Sequence, residues 1–457
     1  MTPTTRLRRS VAAAATAGTC VALIAACTGG TSIGESSGGA SPGQTVDGTG
    51  PVEGTVRLAY WGSGPRIERT QAVADLFREE HPEVTIEHES ADFAPYWERL
   101  NVQASSGNMP CVTQTQGRQL NDYTTRDALL PLEPMIESGA IDVSDLPQDV
   151  LDTGRGLDGN LYMVPYGAAY DAVVINETLA EEAGVGLPEE GYTWEEFGDY
   201  LREAQEGLPE GVKAANLGGG LPNYFIAYVQ GTGQALFDGN QIGFDEQVLV
   251  DYWRFWDELR QDGVTTTPQQ SSEEPDQTEQ RYVAQGRVMV DNLPGNALTP
   301  AQETLDGLAP GQQLTSAPAP WGEAGQGNAL FTSGFSIPAN CTNASTAAAF
   351  IDFWVNNDDA GQAFASDNGA ATNTRHLEQQ LDDPELPAEK QHELRLYQDI
   401  VDREPESILY PPGYQANFED TFTRHWESIA FGEASVEEAA HAFYEEVNAA
   451  LAAESTG

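Results

Sequence analysis

The chain has 457 residues, of which 40% are hydrophobic, and its 71 acidic residues against 22 basic ones give a formal net charge of −49. This length exceeds the usual size of one hydrophobic core, so two lobes or domains are expected. The strongly negative field argues against nucleic acids and anionic membrane surfaces as partners, and it disfavours a strongly anionic ligand.

Residues 1–26 are predicted to be a secretory signal peptide, because three arginines within the first nine residues precede a small apolar run over 11–26. The run ends in Ile-Ala-Ala-Cys at 24–27, which resembles the lipobox of bacterial lipoproteins. Cys27 is therefore expected to carry lipid and to hold the protein at the outer face of the membrane. Residues 27–50 are predicted to be this lipidated cysteine and a flexible tether rich in Gly, Ser and Thr.

The folded part is predicted to begin with alternating strands and helices. Residues 51–61 alternate apolar and polar side chains as a short strand does, and a second strand is predicted over 84–88. Helices are predicted over 66–80 and 95–106 from the spacing of their apolar residues. This order predicts an α/β lobe with a largely parallel sheet.

The central stretch, 161–176, consists of two apolar runs joined by Pro165-Tyr166-Gly167. Proline cannot donate to a central ladder, and glycine tolerates unusual backbone angles. The pattern suits a strand that leaves one sheet and enters another, with Tyr166 and Tyr170 beside a cleft. A buried strand with a bulge is the alternative.

Four cysteines have different expected roles. Cys20 leaves with the signal peptide and Cys27 takes the lipid, so Cys111 and Cys341 remain for the folded part. Outside the cell such a pair is expected to be oxidised, and a bond between them would require the chain to return late to its first lobe. Two unpaired buried thiols are the alternative.

A series of short motifs follows in a fixed order from about residue 52. Its clearest pieces are Gly-Asn-Met-Pro-Cys-Val at 107–112, Ala-Leu-Leu-Pro-Leu at 128–132, Asp-Gly-Asn-Leu-Tyr-Met-Val-Pro at 158–165, Tyr-Thr-Trp-Glu-Glu-Phe at 192–197, Ala-Gln-Gly-Arg-Val-Met at 284–289, Gly-Phe-Ser-Ile-Pro at 334–338 and Phe-Gly at 431–432. The series resembles the family-1 extracellular solute-binding proteins of ABC importers, the maltodextrin-binding type. That family usually has Asp where this chain has Cys111, and Cys341 follows the strand that in the family returns to the first lobe, so the resemblance agrees with a Cys111–Cys341 disulfide.

The resemblance implies a two-lobed α/β fold of the type II periplasmic-binding-protein kind. Each lobe would be a mostly parallel sheet flanked by helices, with a ligand cleft between the lobes. The first lobe would comprise 51–164 and 328–370, and the second 165–327 and 371–457. The lobes would close over a ligand by hinge bending, and the closed form would dock to a membrane permease.

Catalysis has little support in the sequence. A secreted glycosidase would need two carboxylates, but no motif marks a pair among the 71 acids. The six histidines are scattered without metal-ligand spacing, so no metal site and no cofactor are expected.

A sugar receptor needs aromatic faces for sugar rings, and amides, carboxylates and guanidinium groups for hydroxyls. Such side chains are expected at strand ends and at the lobe crossing, where open α/β sheets bind ligands. The candidates are Trp61, Ser63, Arg66, Gln114, Gln116, Tyr166, Tyr170, Asp171, Asp291, Asn292, Asn296, Trp321 and Arg375. The alternative role is packing at the rim for Trp61 and capping of a turn for Asp171.

The expected function is therefore that of a monomeric, membrane-tethered receptor that captures a mono- or oligosaccharide and delivers it to an ABC permease. A polyol, a glycerol phosphodiester or a polyamine is the alternative ligand. An adhesin or sensor subunit with the same fold, or a secreted glycosidase, is a more distant alternative.

Overall fold

The computed structural model describes residues 46–62, 64–275, 277–327, 330–403 and 407–454. The predicted signal peptide, Cys27, most of the tether and Ser63 lie outside the described residues. The strands are β1 Gly54–Trp61, β2 Val84–Ala91, β3 Val112–Gln116, β4 Val164–Asn176, β5 Lys213–Ala215, β6 Phe237–Asp238, β7 Gln241–Ile242, β8 Val288–Pro294, β9 Leu314–Pro318, β10 Trp321–Gly322, β11 Gly325–Gln326, β12 Leu330–Ser336 and β13 Ala370–Ala371.

The α-helices surround these strands and include the predicted first two. They are α1 Gly64–Glu80, α2 Phe93–Ser105, α3 Gly117–Thr124, α4 Glu133–Glu137, α5 Gln148–Asp152, α6 Glu177–Ala183, α7 Trp194–Gly207, α8 Pro222–Gly231, α9 Glu246–Gln261, α10 Pro268–Ser272, α11 Leu298–Leu308, α12 Ala344–Asn356, α13 Asp358–Phe364, α14 Thr374–Leu381, α15 Ala388–Val401, α16 Asp420–Ala430 and α17 Val436–Glu454. A π-helical turn, Gln415–Glu419, leads into α16. Within the described ranges, no helix is both long and apolar enough to cross a membrane.

The main sheet has the strand order β2-β1-β3-β12-β4-β8-β5, and β9 and β13 also pair with β4. Pairing is parallel between β1 and β2, between β1 and β3, and between β5 and β8. The strands in the middle, β12 and β4, pair with their neighbours in the antiparallel direction. The predicted parallel arrangement thus holds at the two ends of the sheet, and the connection between them is antiparallel.

Strand β4 joins these two groups of strands. Its first half pairs with β12 over Val164–Tyr170, and its second half pairs with β8 and β9 from Asp171 onwards. The register of β12 shifts between Ser333 and Gly334, opposite the predicted interruption in β4. One continuous strand therefore passes between two groups of strands within one sheet, and an irregularity in its pairing with β12 marks the passage.

The buried apolar side chains form separate cores on the two sides of this passage. The first core consists of two clusters around β1, β3 and β12, with Phe77, Phe335 and Trp354 in one and Trp61 and Tyr96 in the other. The second core is built mainly from α7, α8, α9, α16 and α17. Two smaller clusters pack against β8 and α11 and against β4 and α15.

The predicted disulfide joins Cys111, just before β3, to Cys341, just before α12. The two Cα atoms are 4.9 Å apart, and 230 positions separate the cysteines in sequence. The bond therefore ties the late return of the chain to the first core. Further along, a capping box at Thr193 and Glu196 opens α7, because each side chain accepts a hydrogen bond from the other residue's backbone N–H.

Candidate functional site

Arg118 lies where the two cores meet. It is in the first turn of α3, which follows β3 directly, and α3 packs into the first core through Leu120 and Tyr123. Its Nη1 is 2.9 Å from Oε1 of Glu419, and its Nη2 donates to Oδ1 of Asn223 at 2.6 Å. Both partners belong to elements of the second core, so one guanidinium connects the two sides.

The environment of Arg118 is largely dry. Its guanidinium carbon lies 3.9 Å from the centre of the Phe331 ring, and the side chains of Arg118 and Glu419 are 15% and 11% exposed. Burial opposes the positive charge of Arg118, but Glu419, Tyr414, Tyr410 and Asp171 together outweigh it, and the net pKa of Arg118 is raised. The guanidinium is therefore charged throughout the physiological range.

Two further contacts hold α3 against the second core. The Asn121 amide donates to the carbonyl of Tyr410 at 2.7 Å, and the Gly413 N–H donates to Oδ1 of Asp122 at 2.6 Å. The structure thus has α3 and the segment 410–419 in direct contact.

Asp171 and Asn292 face each other on β4 and β8, beside this contact. The Asn292 amide donates to Oδ2 of Asp171 at 2.9 Å and to the Ala172 carbonyl at 3.1 Å. Oδ1 of Asp171 and Nε of Arg118 are buried without a hydrogen-bond partner among the described residues. Burial raises the pKa of Asp171 to about 7, although Asn292, Arg118 and Asn223 favour the ionised form. We name Arg118, Asp171, Asn223, Asn292 and Glu419 the cleft cluster.

Asp291 holds the backbone of Asn292, a member of the cleft cluster, in place. Its carboxylate receives two hydrogen bonds at 3.0 Å from Arg281 and one at 2.9 Å from the backbone N–H of Asn292. Glu274 lies within 3.3 Å of the same guanidinium, and burial, with a contribution from Asp291, raises the pKa of Glu274. Asp291 is thus engaged in an internal ion pair that fixes the backbone of Asn292.

The first-lobe candidates lie deeper than the sequence analysis expected. Trp61 is 5% exposed and packs edge-on against Phe93 and Tyr96. Gln114 is buried, accepts from the Trp61 N–H at 2.9 Å and donates to the Tyr166 hydroxyl. Gln116 is half-buried at the end of β3.

The two tyrosines of the crossing use their hydroxyls internally. Tyr166 packs against Phe335, and its hydroxyl also accepts from the Asn368 amide at 3.3 Å. Tyr170 donates to the Glu393 carbonyl at 3.1 Å and lies so close to Gly295 that a Cβ atom there would overlap its ring.

The other described candidates are Arg66, Arg375, Trp321 and Asn296, and none of them is a member of the cleft cluster. Arg66 pairs with Asp367 at 2.6 Å. Arg375 pairs with Asp358 on the first-core side. Trp321 starts the short β10–β11 hairpin, and Asn296 is half-buried in a 3-10 turn after β8.

One positional expectation was wrong. Gln114, Asp291 and Asn292 were expected at strand ends, but they lie within strands, because β3 runs to Gln116 and β8 runs to Pro294. These polar residues are therefore part of the paired strands, because their backbones pair with β12 and β4.

Three members of the cleft cluster were not among the residues predicted from the sequence: Arg118, Asn223 and Glu419. Arg118 carried a usable signal, since a lone arginine directly after a strand is conspicuous in a chain with only 22 basic residues. Asn223 and Glu419 carried none, because their role depends on how α8 and the turn before α16 dock against α3.

Other kinds of site are weakly represented. Among the described residues, no group of three or more His, Cys, Asp or Glu side chains is placed to hold a metal ion. A groove of about 830 Å³ lies between α5 and the helices α14 and α15, where Asp149, Asp152, Glu378 and Asp402 line it, and it contains none of the predicted site residues.

Residues 72–391 match the family model described as bacterial extracellular solute-binding protein. The chain belongs to this family. It is accordingly an extracellular solute-binding protein of an ABC transporter, and proteins of this family are binding receptors, not enzymes.

Solved structures of solute-binding proteins have the same fold. A family-1 extracellular solute-binding protein from Alicyclobacillus acidocaldarius is 23% identical, with 88% of this chain and 100% of that chain covered and a TM-score of 0.68. The GacH receptor of Streptomyces glaucescens, solved unliganded and with acarbose, is 21% identical over 86% and 97% of the chains, with a TM-score of 0.70. The protein Lmo0181 of Listeria monocytogenes, in complex with cycloalternan, is 16% identical over 88% and 99%, with a TM-score of 0.72. At these identities the likeness establishes the fold alone.

Proposed function

We propose that this receptor captures a mono- or oligosaccharide at the cleft cluster and delivers it to a membrane permease. The observation that carries the proposal is the contact of Arg118, on the first core, with Asn223 and Glu419, on the second. Guanidinium, amide and carboxylate groups are the ones that bind sugar hydroxyls in proteins. The acarbose and cycloalternan complexes of the two solved relatives agree with a carbohydrate ligand.

The two-sided cluster gives a reason for closure on binding. A ligand can favour the closed form only by as much as it binds that form better than the open one, so it must touch both sides. Arg118 would contact the ligand from the first core. Asn223 and Glu419 would contact it from the second core, and Asp171 and Asn292 from the strands of the crossing. The predicted lobe boundary near residues 164 and 165 stays a proposal that fits this division.

The remaining parts of the function are also proposals. Lipid on Cys27 would hold the receptor as a monomer at the outer face of the membrane, next to its permease. The tether would let the folded part reach that permease, because a Gly- and Ser-rich segment behaves as a flexible coil.

A thermal-unfolding screen of the purified protein against mono-, di- and trisaccharides tests the ligand class. A sugar at about 100 times its dissociation constant should add about 2.7 kcal/mol to the free energy of unfolding. Polyols, a glycerol phosphodiester and polyamines form the comparison set. A stabilising response confined to that set would overturn the sugar assignment and leave the receptor assignment in place.

Asn223→Ala and Asn292→Ala test the place of binding. Each removes amide groups from one side of the cluster, and each should weaken sugar binding about tenfold or more, since a lost hydrogen bond in a dry site costs about 1–3 kcal/mol. Gln247→Ala, an exposed amide on α9, is the matched control. Unchanged affinity in both cluster variants, measured by calorimetry, would move the binding site elsewhere.

A further inference from the structure

The charges of the cleft cluster do not balance. Arg118 is the single cation among its five members, and it is already paired with Glu419. Asp171 has no ion-pair partner of its own among the described residues; its side-chain hydrogen bonds come from the neutral amides of Asn292 and Asn223. If Asp171 is ionised, the cluster carries one uncompensated negative charge on a fully buried carboxyl.

Among the described residues, none of the elements around Asp171 provides a second cation for its carboxyl. The polar groups that face it or act on its charge are Arg118 of α3, Asn223 and Tyr224 of α8, Tyr252 of α9, Asn292 of β8 and Tyr410 before α16. The hydroxyl of Tyr224 and Oδ1 of Asp171 are both buried without a hydrogen-bond partner among the described residues. A buried acceptor without a donor is costly, and a buried unpaired charge is more so.

We propose that the ligand of the cleft cluster is an amino sugar, and that its ammonium group binds Oδ1 of Asp171. The inference rests on the proposed sugar-binding function and narrows its ligand class. An ammonium supplies the missing positive charge and up to three donors in one group. The sugar hydroxyls then use Asn223, Asn292 and the Arg118–Glu419 pair.

The charges of the cleft cluster disfavour an anionic sugar as the ligand. A uronic acid or a sugar phosphate could reach the unpartnered Nε of Arg118, but its own charge would then lie beside the carboxylates of Glu419 and Asp171. The net charge of −49 acts in the same direction, since it raises the local concentration of cations and lowers that of anions.

Ammonium binding must be linked to the proton on Asp171. The ammonium binds the ionised carboxyl, and burial holds the pKa of Asp171 at about 7 without ligand. Binding at pH 6 therefore requires the release of a proton, and the affinity should be about tenfold lower at pH 6 than at pH 8. A neutral sugar donates a hydroxyl without that requirement and should bind with little change over the same range.

Calorimetric titration of the purified protein with matched probes tests the inference. The first set is D-glucose, 6-amino-6-deoxy-D-glucose and D-glucuronate, and the second is the dimer of glucosamine against the dimer of N-acetylglucosamine. In at least one set the amine should bind at least about tenfold tighter than its neutral match at pH 8, the gain of one buried charge-assisted hydrogen bond. The preference of the primary alkylamine should shrink at pH 6.

Two variants separate a specific role of Asp171 from a loss of folding. Asp171→Asn should bring the amine down to the affinity of the neutral sugar while the neutral sugar still binds. Glu419→Gln makes the cluster neutral overall and should also lower the amine preference, with a relative gain for glucuronate. Thermal unfolding of each variant verifies that it is folded.

Two outcomes would overturn the inference in different ways. If neutral sugars bind and the amines bind no better, or if Asp171→Asn keeps the amine preference, the inference fails and sugar capture stands. If no sugar of any charge binds, the inference falls together with the proposed function.

Discussion

At the scale of single residues, Asp171 is held between opposing influences. Its complete burial favours the neutral acid, while the Asn292 amide and the Arg118 charge favour the carboxylate, and burial dominates. A carboxyl with a raised pKa in the folded state binds its proton more tightly there than in the unfolded chain. The charge state of this one residue is therefore coupled to folding as well as to binding.

We predict that Asp171→Asn removes a component of the pH dependence of stability. The stabilising contribution of protonated Asp171 is fully present below the pKa of about 4 in the unfolded chain, and it is lost as the pH rises through about 7. By pH 8 the loss amounts to about 4 kcal/mol at most, since one pKa unit corresponds to about 1.4 kcal/mol. The neutral amide of the variant has no such loss.

Thermal unfolding from pH 5 to pH 8.5 measures this difference. The melting temperature of the native protein should fall more steeply towards high pH than that of Asp171→Asn. Asp238→Asn, an exposed acid in β6, controls for the removal of one charge and should follow the native curve. Parallel curves for the native protein and Asp171→Asn would refute the prediction.

The individual residues also show how much of the candidate site can be predicted from the sequence. Asp171 and Asn292 were predicted because they follow apolar strand patterns near the crossing, and the structure brings them within 2.9 Å of each other. Trp61 and Tyr166 fit the same rules of residue type and position, yet both are buried in the first core. Local pattern predicts that a polar or aromatic residue is near a strand end, but which way the side chain points depends on packing from distant parts of the chain.

At the scale of elements, periodicity was a better guide. The helices and strands were predicted because apolar spacing and capping residues are local signals, and the α7 capping box depends on residues only three positions apart. The mixed direction of the central sheet was not predicted. It depends on the return of β12 beside β3 and β4, between residues more than 150 positions apart, and no local pattern reports such a pairing.

We predict that the Cys111–Cys341 disulfide stabilises the fold without contributing to binding. It closes a loop of 230 positions, and in the chain-entropy model so long a loop gives about 5.5 kcal/mol, whereas disulfides typically deliver about 2–4 kcal/mol. The double variant Cys111→Ser, Cys341→Ser should therefore unfold at a lower temperature than the native protein. Its affinity for the ligand should match that of the native protein, because neither cysteine contacts the cleft cluster.

Reductant supplies the control for this prediction. Dithiothreitol should lower the melting temperature of the native protein towards that of the double variant and leave the variant itself unchanged. An equal melting temperature for the oxidised native protein and the double variant would show that the bond adds nothing to stability.

At the scale of the whole molecule, the acidic surface and the dry cleft cluster obey different electrostatics. Most of the 71 acids meet water, where salt screens charges more than about 10 Å apart at 0.1 M ionic strength. The Arg118–Glu419 pair is largely buried, so salt screens it much less. Concentrated salt should therefore relieve the repulsion across the surface and leave the contact between the two cores in place.

That contact leads to a prediction about the shape of the ligand-free protein. Arg118 makes the ion pair with Glu419 and a hydrogen bond with Asn223, and truncating one partner of such a buried pair costs about 3–5 kcal/mol, because the other charge is left buried and unpaired. Opening of the cleft would return Glu419 to water and relieve that cost. Arg118→Ala should thus shift the ligand-free protein towards a more open form with a larger radius of gyration in small-angle X-ray scattering.

Matched variants distinguish opening from a general loss of structure. The double variant Arg118→Ala, Glu419→Ala no longer contains the unpaired Glu419 carboxylate, so its radius of gyration should return towards the native value. Arg254→Ala breaks an exposed ion pair with Glu437, which contributes little because water and salt screen it, and it should leave the scattering curve unchanged. Identical curves for the native protein and Arg118→Ala, in a variant that melts cooperatively, would mean that the apolar surfaces alone keep the two cores together.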